Sequence, residues 1–202
     1  MRCDVVITGV GGQGVLATAT VIGRAALATG LHVKQPEVHG MAQRGGSVQC
    51  HLRLADAPIW SDLIPRAHAD LILAMEPMEA LRCLPWLKPE GWVVTSRTPV
   101  HNLSGYPPDE ELWAEIGRLP RHVLFDATRV AQDHGLPRSA NVALAGAASP
   151  FLPLTAASLE TAIARQFHRL GQAAVDANLA VFRAARAIGG EAAARRPDSP
   201  AA

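Results

Sequence analysis

Short runs of consecutive apolar residues alternate along the chain with longer segments in which apolar residues recur every three or four positions. Consecutive apolar runs are typical of strands buried on both faces, whereas the three-to-four spacing is typical of helices that cover a sheet. Strands that alternate with helices predict an α/β fold, with a mainly parallel sheet and helices on both faces. The apolar runs predict strands over residues 4–8, 31–34, 69–74, 92–95 and 122–125.

The C-terminal part of the chain shows the helical spacing alone, so we expect a helical region after the last strand. Helices are predicted over residues 13–28, 76–84, 109–119, 139–148 and 158–165, and a long final helix is predicted to end at Gly189-Gly190. Gly30 is expected just beyond the end of the first helix, and Asp126 is expected to cap a further helix after the last strand. Residues 1–188 should therefore form one Rossmann-like domain. Residues 189–202 combine Ala, Arg, Pro and Ser without periodicity, and we predict a disordered tail there.

Two segments depart from these patterns. Residues 47–54 alternate apolar and polar side chains, which predicts a half-exposed strand at a sheet edge. Residues 37–46 have neither a strand nor a helix period, which predicts a loop. Because loops of mixed composition are either plain connectors or binding loops, the residue types in this loop carry the functional argument.

Composition and charge exclude several classes of protein. A formal net charge of +1 and an aromatic content of 4% argue against a nucleic-acid binder. No apolar run approaches the roughly 20 residues of a membrane helix, and the first strand follows the N-terminus directly. We therefore expect a cytoplasmic protein. The cysteines Cys3, Cys50 and Cys83 form no C-x-x-C pair, so a metal or iron–sulfur site held by this chain alone is not expected.

The segment Gly9-Val10-Gly11-Gly12-Gln13-Gly14 follows an apolar strand and opens a predicted helix. Its glycines at positions 9, 11 and 14 have the G-x-G-x-x-G spacing of a nucleotide-binding turn, in which the free N–H groups of the helix favour an anion. In that pattern Gly9 allows the tight turn, Gly11 the close approach of a ligand, and Gly14 the packing of helix on strand. We interpret Gly9, Gly11, Gly12, Gln13 and Gly14 as a candidate cofactor-binding turn, while packing alone remains the alternative.

The loop that follows the second predicted strand combines an acid, an imidazole, a guanidinium and glycines. A dinucleotide site also requires an acid about 20 residues beyond its glycines, and only Glu37 could supply it, after the interruption at Pro36. His39 could act as a base or form backbone hydrogen bonds, and Arg44 could bind an anion or an acid of another subunit. The candidate interface or cleft residues of this loop are Glu37, His39, Gln43, Arg44, Gly45 and Gly46. Because the loop and the glycine turn should both lie near the carboxyl edge of the strands, we expect them to form one surface.

No catalytic motif of a hydrolase, metalloprotease or P-loop enzyme occurs, and we assign no catalytic residue. The two glycine-bearing segments together, Gly9–Val15 and Glu37–Val48, resemble the gamma domain of 2-oxoacid:ferredoxin oxidoreductases, most closely its indolepyruvate-oxidising branch. A weaker local match covers Asn141–Ala147, where that family tends to have Leu-Gly and this chain has Ala145-Gly146.

The resemblance implies a subunit of an enzyme that oxidatively decarboxylates arylpyruvates to acyl-CoA thioesters and passes the electrons to ferredoxin. It also implies a large alpha subunit that carries thiamine diphosphate and the iron–sulfur clusters. The glycine turn would then contact coenzyme A or another anion, and the loop at residues 37–46 would face the partner. Two alternatives remain open from the residues: a stand-alone dinucleotide-binding reductase or regulatory module, and a structural subunit whose turn binds nothing.

Overall fold

The computed structural model describes residues 1–39, 45–102 and 105–195. One strand of its sheet is antiparallel to all the others. The strands are β1 (Arg2–Val10), β2 (His32–Lys34), β3 (Glu37–His39), β4 (Ser47–Ala55), β5 (Ala69–Ala74), β6 (Leu87–Ser96) and β7 (His122–Phe125). The sheet order is β2-β4-β1-β5-β6-β7, and β3 also pairs with β4. Strands β1, β5, β6 and β7 are parallel, while β4 is antiparallel to β1, β2 and β3. The expected mainly parallel sheet is confirmed.

Helices cover both faces of the sheet, as the alternation of patterns predicts. The helices are α1 (Val15–Ala28), α2 (Pro77–Arg82), α3 (Asp109–Gly117), α4 (Ala127–Asp133), α5 (Ala140–Ala148), α6 (Ala156–Phe167) and α7 (Gln172–Ala194). The larger core cluster joins one face to α1, α4, α5, α6 and α7, and a smaller cluster joins the other face to α2. None of the helices in the described ranges is both long and apolar enough to cross a membrane.

Local side chains start several of these helices. The carboxylate of Asp126 accepts the backbone N–H of Arg129 at 2.8 Å, which confirms it as the N-cap of α4. Glu76 and Thr155 cap α2 and α6 in the same way. Gly30, with φ of +83°, follows the C-terminus of α1 as predicted.

The prediction that residues 47–54 form a half-exposed edge strand is wrong. Strand β4 lies between β1 and the short strands β2 and β3, and all its residues from Cys50 to Ala55 are buried. Its alternating polar positions are filled by His51 and Arg53, each 3% exposed. At His51 and Arg53 the polar side chains therefore face partners inside the fold instead of solvent.

The predicted loop at residues 37–46 also begins as a strand. Residues 37–39 form β3, where Glu37 lies opposite Cys50 and His39 lies opposite Val48. Three residues give too short a segment for a strand period to be recognised in sequence. Residues 40–44 of the predicted loop, which include Gln43 and Arg44, lie outside the described residues.

The predicted end of the last helix at Gly189-Gly190 is wrong, because α7 continues to Ala194. A Cβ on Gly189 would lie 2.0 Å from the carbonyl oxygen of Ala147, and one on Gly146 would lie 2.3 Å from that of Phe182. These glycines let α5 and α7 pack backbone against backbone, which explains a glycine inside a helix. The predicted disordered tail therefore loses residues 189–194 to the helix, and residues 196–202 lie outside the described ranges.

Candidate functional site

The glycine turn lies where β1 ends and α1 begins, at the carboxyl edge of the parallel strands. Gly12 and Gly14 have φ of +104° and +89°, a region that side chains with a Cβ rarely adopt. Gly9 is an ordinary strand residue, and a Cβ there would lie 2.8 Å from Met75. A Cβ on Gly14 would lie 2.9 Å from the Asn141 side chain of α5. The tight turn therefore depends on Gly12 and Gly14, while Gly9 permits packing.

Gln13 closes this turn with its own side chain. Its Oε1 accepts the backbone N–H of Val10 at 2.7 Å, and its backbone N–H donates to the Val10 carbonyl at 3.1 Å. Gln13 therefore shapes the turn, and its amide oxygen is already used within the chain.

The structure brings the two predicted segments together. The N–H of Gly11 donates to the carbonyl of Gly46 at 2.8 Å, which joins the turn to the end of the second loop. The carbonyl of the neighbouring Gly45 accepts the side-chain amide of Asn102 at 2.5 Å. The described end of the second segment, Gly45-Gly46, thus lies beside the glycine turn, as expected from the edge that they share. The Gly11 N–H is committed to this contact and does not face a ligand.

A buried carboxylate fixes the residue that follows the loop. Glu79 of α2 accepts the hydroxyl of Ser47 at 2.5 Å and a guanidinium N–H of Arg82 at 2.7 Å. Its neighbour Glu76 accepts the Glu79 N–H at 2.6 Å and the Tyr106 hydroxyl at 2.5 Å. Burial raises the pKa of Glu76, and burial followed by the hydrogen bond to Glu76 raises the pKa of Tyr106. These groups hold the edge of the site in place.

Two cavities open on either side of Gly12, and we call them together the glycine cleft. The first has a volume of about 320 Å³ and the second about 270 Å³. Both are within the range that small-molecule sites occupy, or just below it. The first is lined by Val10, Gly11, Gly12, Gly14, Val15, Leu16, Ala17, Glu37 and Val48. The second is lined by Gly12, Gln13, Met75, Ser96, Thr98, Thr128, Arg138, Ala140, Asn141 and Leu144.

The chemistry of the two cavities differs. Glu37 gives the first a carboxylate, whereas the second has the guanidinium of Arg138 and the N-terminus of α5. Thr98 and Thr128, whose hydroxyl oxygens are 3.1 Å apart, add two hydroxyl groups to the second. An anion is therefore favoured in the second cavity.

Sequence reasoning missed the residues that give the second cavity its chemistry. Thr98, Thr128 and Arg138 come from three separate connections, after β6, at the start of α4 and before α5. Only the topology could have pointed to these residues, because all three segments follow the carboxyl ends of parallel strands or lead into a helix beside them.

The arrangement around Glu37 differs from that of an ordinary dinucleotide site. In such a site the acid ends the parallel strand next to β1, but here the neighbour of β1 on that side is the antiparallel β4. Glu37 lies one strand further out, on β3. Its position beside the glycine turn is therefore reached by a different topology.

The cysteines contribute no metal site in this structure. Burial raises the pKa of Cys3 and Cys50 to about 12 and that of Cys83 to about 11, so these thiols remain protonated at neutral pH. Among the residues that the structure describes, no group of three or more His, Cys, Asp or Glu side chains could hold a metal ion.

Comparison with known proteins identifies relatives of this chain. The model of the family described as "Pyruvate ferredoxin/flavodoxin oxidoreductase" matches residues 4–188. The chain is 38% identical to "Indolepyruvate oxidoreductase subunit IorB" of Methanothermobacter thermautotrophicus, over 91% of this chain and 95% of that protein. It is also 38% identical to the subunit of the same name from Pyrococcus horikoshii, over 89% of this chain and 92% of that protein.

Solved structures share the fold. The gamma subunit of a keto/oxoacid ferredoxin oxidoreductase from Geobacter sulfurreducens superposes with a TM-score of 0.70 at 19% identity, covering 94% of this chain and 99% of that one. The 2-oxoglutarate:ferredoxin oxidoreductase of Magnetococcus marinus, solved with 2-oxoglutarate, coenzyme A and succinyl-CoA bound, gives a TM-score of 0.76 at 18% identity. That match covers 94% of this chain but 31% of the longer Magnetococcus chain.

Proposed function

Because this chain belongs to the pyruvate ferredoxin/flavodoxin oxidoreductase family, we propose that it is a subunit of a 2-oxoacid:ferredoxin oxidoreductase that acts on arylpyruvates such as indolepyruvate. The reaction converts the 2-oxoacid and coenzyme A to an acyl-CoA thioester and carbon dioxide, with two electrons passed to ferredoxin. The observation that carries the proposal is 38% identity over 95% of the length of an indolepyruvate oxidoreductase subunit.

The partner in this proposal is a large alpha subunit that carries thiamine diphosphate and the iron–sulfur clusters. The donor set on the described part of this chain does not fit a cluster, because its thiols are buried on separate elements and protonated. Iron–sulfur clusters need several thiolates at one place. The redox chemistry is accordingly assigned to the partner, and this chain completes the assembly.

The glycine cleft is the part of this chain that we assign to an anionic portion of coenzyme A. Its second cavity offers the Arg138 guanidinium, the Thr98 and Thr128 hydroxyls and the open face of Gly12, where a Cβ would meet nothing within 4 Å. Coenzyme A supplies the thiol that accepts the acyl group, and these residues bind and orient it.

The segment at residues 37–46 is proposed to face the large subunit across the cleft. Its support is the anchoring of Gly45 and Gly46 to Asn102 and Gly11, which fixes the end of the segment at the rim. Replacing Arg44 by Ala should weaken association with the partner or turnover of the complex. Unchanged reconstituted activity would remove Arg44 from the proposal.

Co-expression with a large thiamine-dependent subunit of this enzyme family tests the proposal directly. The purified complex should reduce ferredoxin with indolepyruvate and coenzyme A, and the isolated chain should not. Arg138→Ala should raise the KM for coenzyme A by about tenfold or more with little change in kcat, because one charged hydrogen-bonding group is lost. The matched control is Arg129→Ala, since Arg129 pairs with Asp133 on the surface of α4 and its side chain is 70% exposed.

The competing function is a stand-alone dinucleotide-binding reductase or regulatory module, which the proximity of Glu37 to the glycine turn favours. Titrating the isolated chain with NAD(H), flavin and coenzyme A separates the two functions. Tight nicotinamide binding together with failure to assemble with a thiamine-dependent subunit would establish the competitor.

A further inference from the structure

Two buried carboxylates lie beside the glycine cleft, where α2 begins. Glu76 is 1% exposed and Glu79 is 4% exposed. Glu76 comes two residues after the end of β5, so the pair stands at the same carboxyl edge of the sheet as the glycine turn. Two like charges in a buried position are stable only when each carboxylate receives hydrogen bonds. The donors that reach this pair are therefore held firmly in place.

Those donors come from parts of the chain that are distant in sequence. The hydroxyl of Tyr106, in the connection between β6 and α3, donates to Oε2 of Glu76 at 2.5 Å. The hydroxyl of Ser47, the first residue of β4, donates to Oε2 of Glu79 at 2.5 Å. The two carboxylates are joined in turn, because Oε1 of Glu76 accepts the backbone N–H of Glu79 at 2.6 Å. A continuous series of hydrogen-bonded residues thus leads from Tyr106 to Ser47.

Ser47 follows the residue that contacts the glycine turn. The carbonyl of Gly46 accepts the N–H of Gly11, and Gly11 precedes Gly12, which borders both cavities of the cleft. The position of Ser47 therefore determines where the Gly46 carbonyl lies, and this carbonyl holds Gly11. Tyr106 itself lines neither cavity, so it can act on a bound ligand only through the groups between them.

The connection that carries Tyr106 contacts the cleft at two further points. Asn102 donates its side-chain amide to the Gly45 carbonyl at 2.5 Å, and Thr98 lines the second cavity. The phenol ring of Tyr106 lies edge-on to the His101 ring, with the ring centres 4.7 Å apart. The same connection therefore contributes to the cavity wall, to the hold on Gly45 and to the carboxylate pair.

We propose that Tyr106 and Ser47 are positioning residues for the ligand of the glycine cleft, which act through Glu76 and Glu79 on the contact between Gly46 and Gly11. The inference rests on the proposed function, which identifies that ligand as coenzyme A. Apolar side chains would avoid the desolvation cost of two buried carboxylates, so stability alone does not account for this arrangement. A hydrogen-bonded polar network instead fixes one geometry, and a turn that is already ordered binds its ligand at a lower entropic cost.

Steady-state kinetics of the assembled complex test the inference. Tyr106→Phe and Ser47→Ala each remove one hydroxyl group, and each should raise the KM for coenzyme A by about fivefold with little change in kcat. The double variant should show no larger effect than the more affected single variant, because both hydroxyl groups act along one path. The control is Thr155→Val, which also removes one hydroxyl hydrogen bond but at the start of α6, a helix that lines neither cavity. Its KM should equal that of wild type.

Hydrogen exchange of the Gly11 N–H provides a second readout, which does not depend on the partner. NMR of the full chain should show faster exchange of this amide in Tyr106→Phe and Ser47→Ala than in wild type and Thr155→Val, because its acceptor is held less firmly. Unchanged exchange in both hydroxyl variants would overturn the inference, even if a variant assembled poorly with the large subunit.

The kinetic outcomes separate this inference from the proposed function. A wild-type complex that uses coenzyme A, together with a wild-type KM in Tyr106→Phe, would overturn the inference and leave the proposed function standing. Fully additive effects of Tyr106→Phe and Ser47→Ala would also overturn it, since they would show two independent contacts. A wild-type complex without coenzyme A-dependent turnover would overturn the proposed function and this inference with it.

Discussion

The two ends of the central strands differ in the kinds of residue that shape them. At the carboxyl end, the cleft surrounds the glycine turn, and Arg138, which lines its second cavity, is exposed. At the other end, Arg53 and Asp4 are buried and hold a loop, the connection between β4 and β5 at residues 56–68, whose aromatic tip, Trp60, is exposed. A ligand needs room and access to backbone, which small residues provide, whereas a loop held in one position needs a backbone fixed by buried groups.

We call the end that Arg53 and Asp4 hold the anchored end. The comparison predicts that the stability of the protein depends more strongly on single side chains there than at the cleft. Replacing Arg53 by Ala should lower the free energy of unfolding by about 3 kcal/mol, because it removes the buried guanidinium partner of Asp4 and leaves two loop carbonyls without donors. Urea denaturation measures the change. Arg2→Ala is the control, since Arg2 contacts the same Asp4 but its side chain is 55% exposed, and we expect a loss below about 1 kcal/mol. Similar losses for both variants would contradict the distinction.

At the cleft end, the effect of an added methyl group should depend on what surrounds the glycine. Gly14→Ala should lower the free energy of unfolding by about 2 kcal/mol, because a positive φ is combined with a contact of 2.9 Å to Asn141. Gly12→Ala has the positive φ but meets no atom within 4 Å, and about 1 kcal/mol is expected. Thermal and urea denaturation of the two variants measure the two losses. A larger loss for Gly12→Ala than for Gly14→Ala would contradict the prediction that the turn is closely packed at Gly14 and open at Gly12.

The anchored end should also be sensitive to pH through His51. Burial lowers the pKa of His51 below its ordinary value of 6.5, so the unfolded chain binds a proton at this residue more readily than the folded chain does. The stability that depends on neutral His51 is therefore complete above pH 6.5 and declines as the pH falls toward the lower folded value. Protonation of Nδ1 would also remove the acceptor of the Ile64 N–H.

The His51 prediction is measured by urea denaturation between pH 7.5 and 5. Wild type should lose stability over this range relative to His51→Gln, which lacks the titration. Because Glu76 and Asp4 titrate in both proteins, their contributions cancel in the difference. Parallel pH profiles for the two proteins would show that His51 does not govern this end.

The smallest expected effect is that of Trp60→Ala on the isolated chain. Since Trp60 is 93% exposed, its removal should change the free energy of unfolding by no more than about 0.5 kcal/mol. A larger loss in thermal denaturation would mean that the side chain stabilises the fold, and the contrast between a fixed backbone and an outward-facing tip would fail.

Much of the fold could be predicted from the chain. The bounds of β5 and β7 and the cap at Asp126 follow from consecutive apolar residues and local hydrogen bonding, which operate within a few positions. The predictions for β4 and the end of α7 failed for one reason. Alternating polar residues usually indicate an exposed strand face, but Arg53 of β4 binds Asp4, which is distant in sequence. A glycine pair usually ends a helix, but Gly189 packs against Ala147 of another helix.

The candidate site divides in the same way. The glycine turn was recognisable because it is one continuous segment, and its meeting with Gly46 followed from the shared edge of the sheet. Arg138, Thr98 and Thr128 were not recognisable, because three separate connections bring them together. The hydrogen bonds that Gln13 and Gly11 make within the chain could not be predicted either, since they depend on which acceptors and donors the fold places beside these residues.

The sequence by itself determined the alternation of strands and helices, the glycine turn and the family, since each depends on residues adjacent in the chain. Only the tertiary structure decided that β4 is buried and antiparallel, that the cleft has one acidic and one basic cavity, and that Trp60 is held outward. Those features depend on the environment of each side chain, and the environment is set by residues that are distant in the chain and close in space.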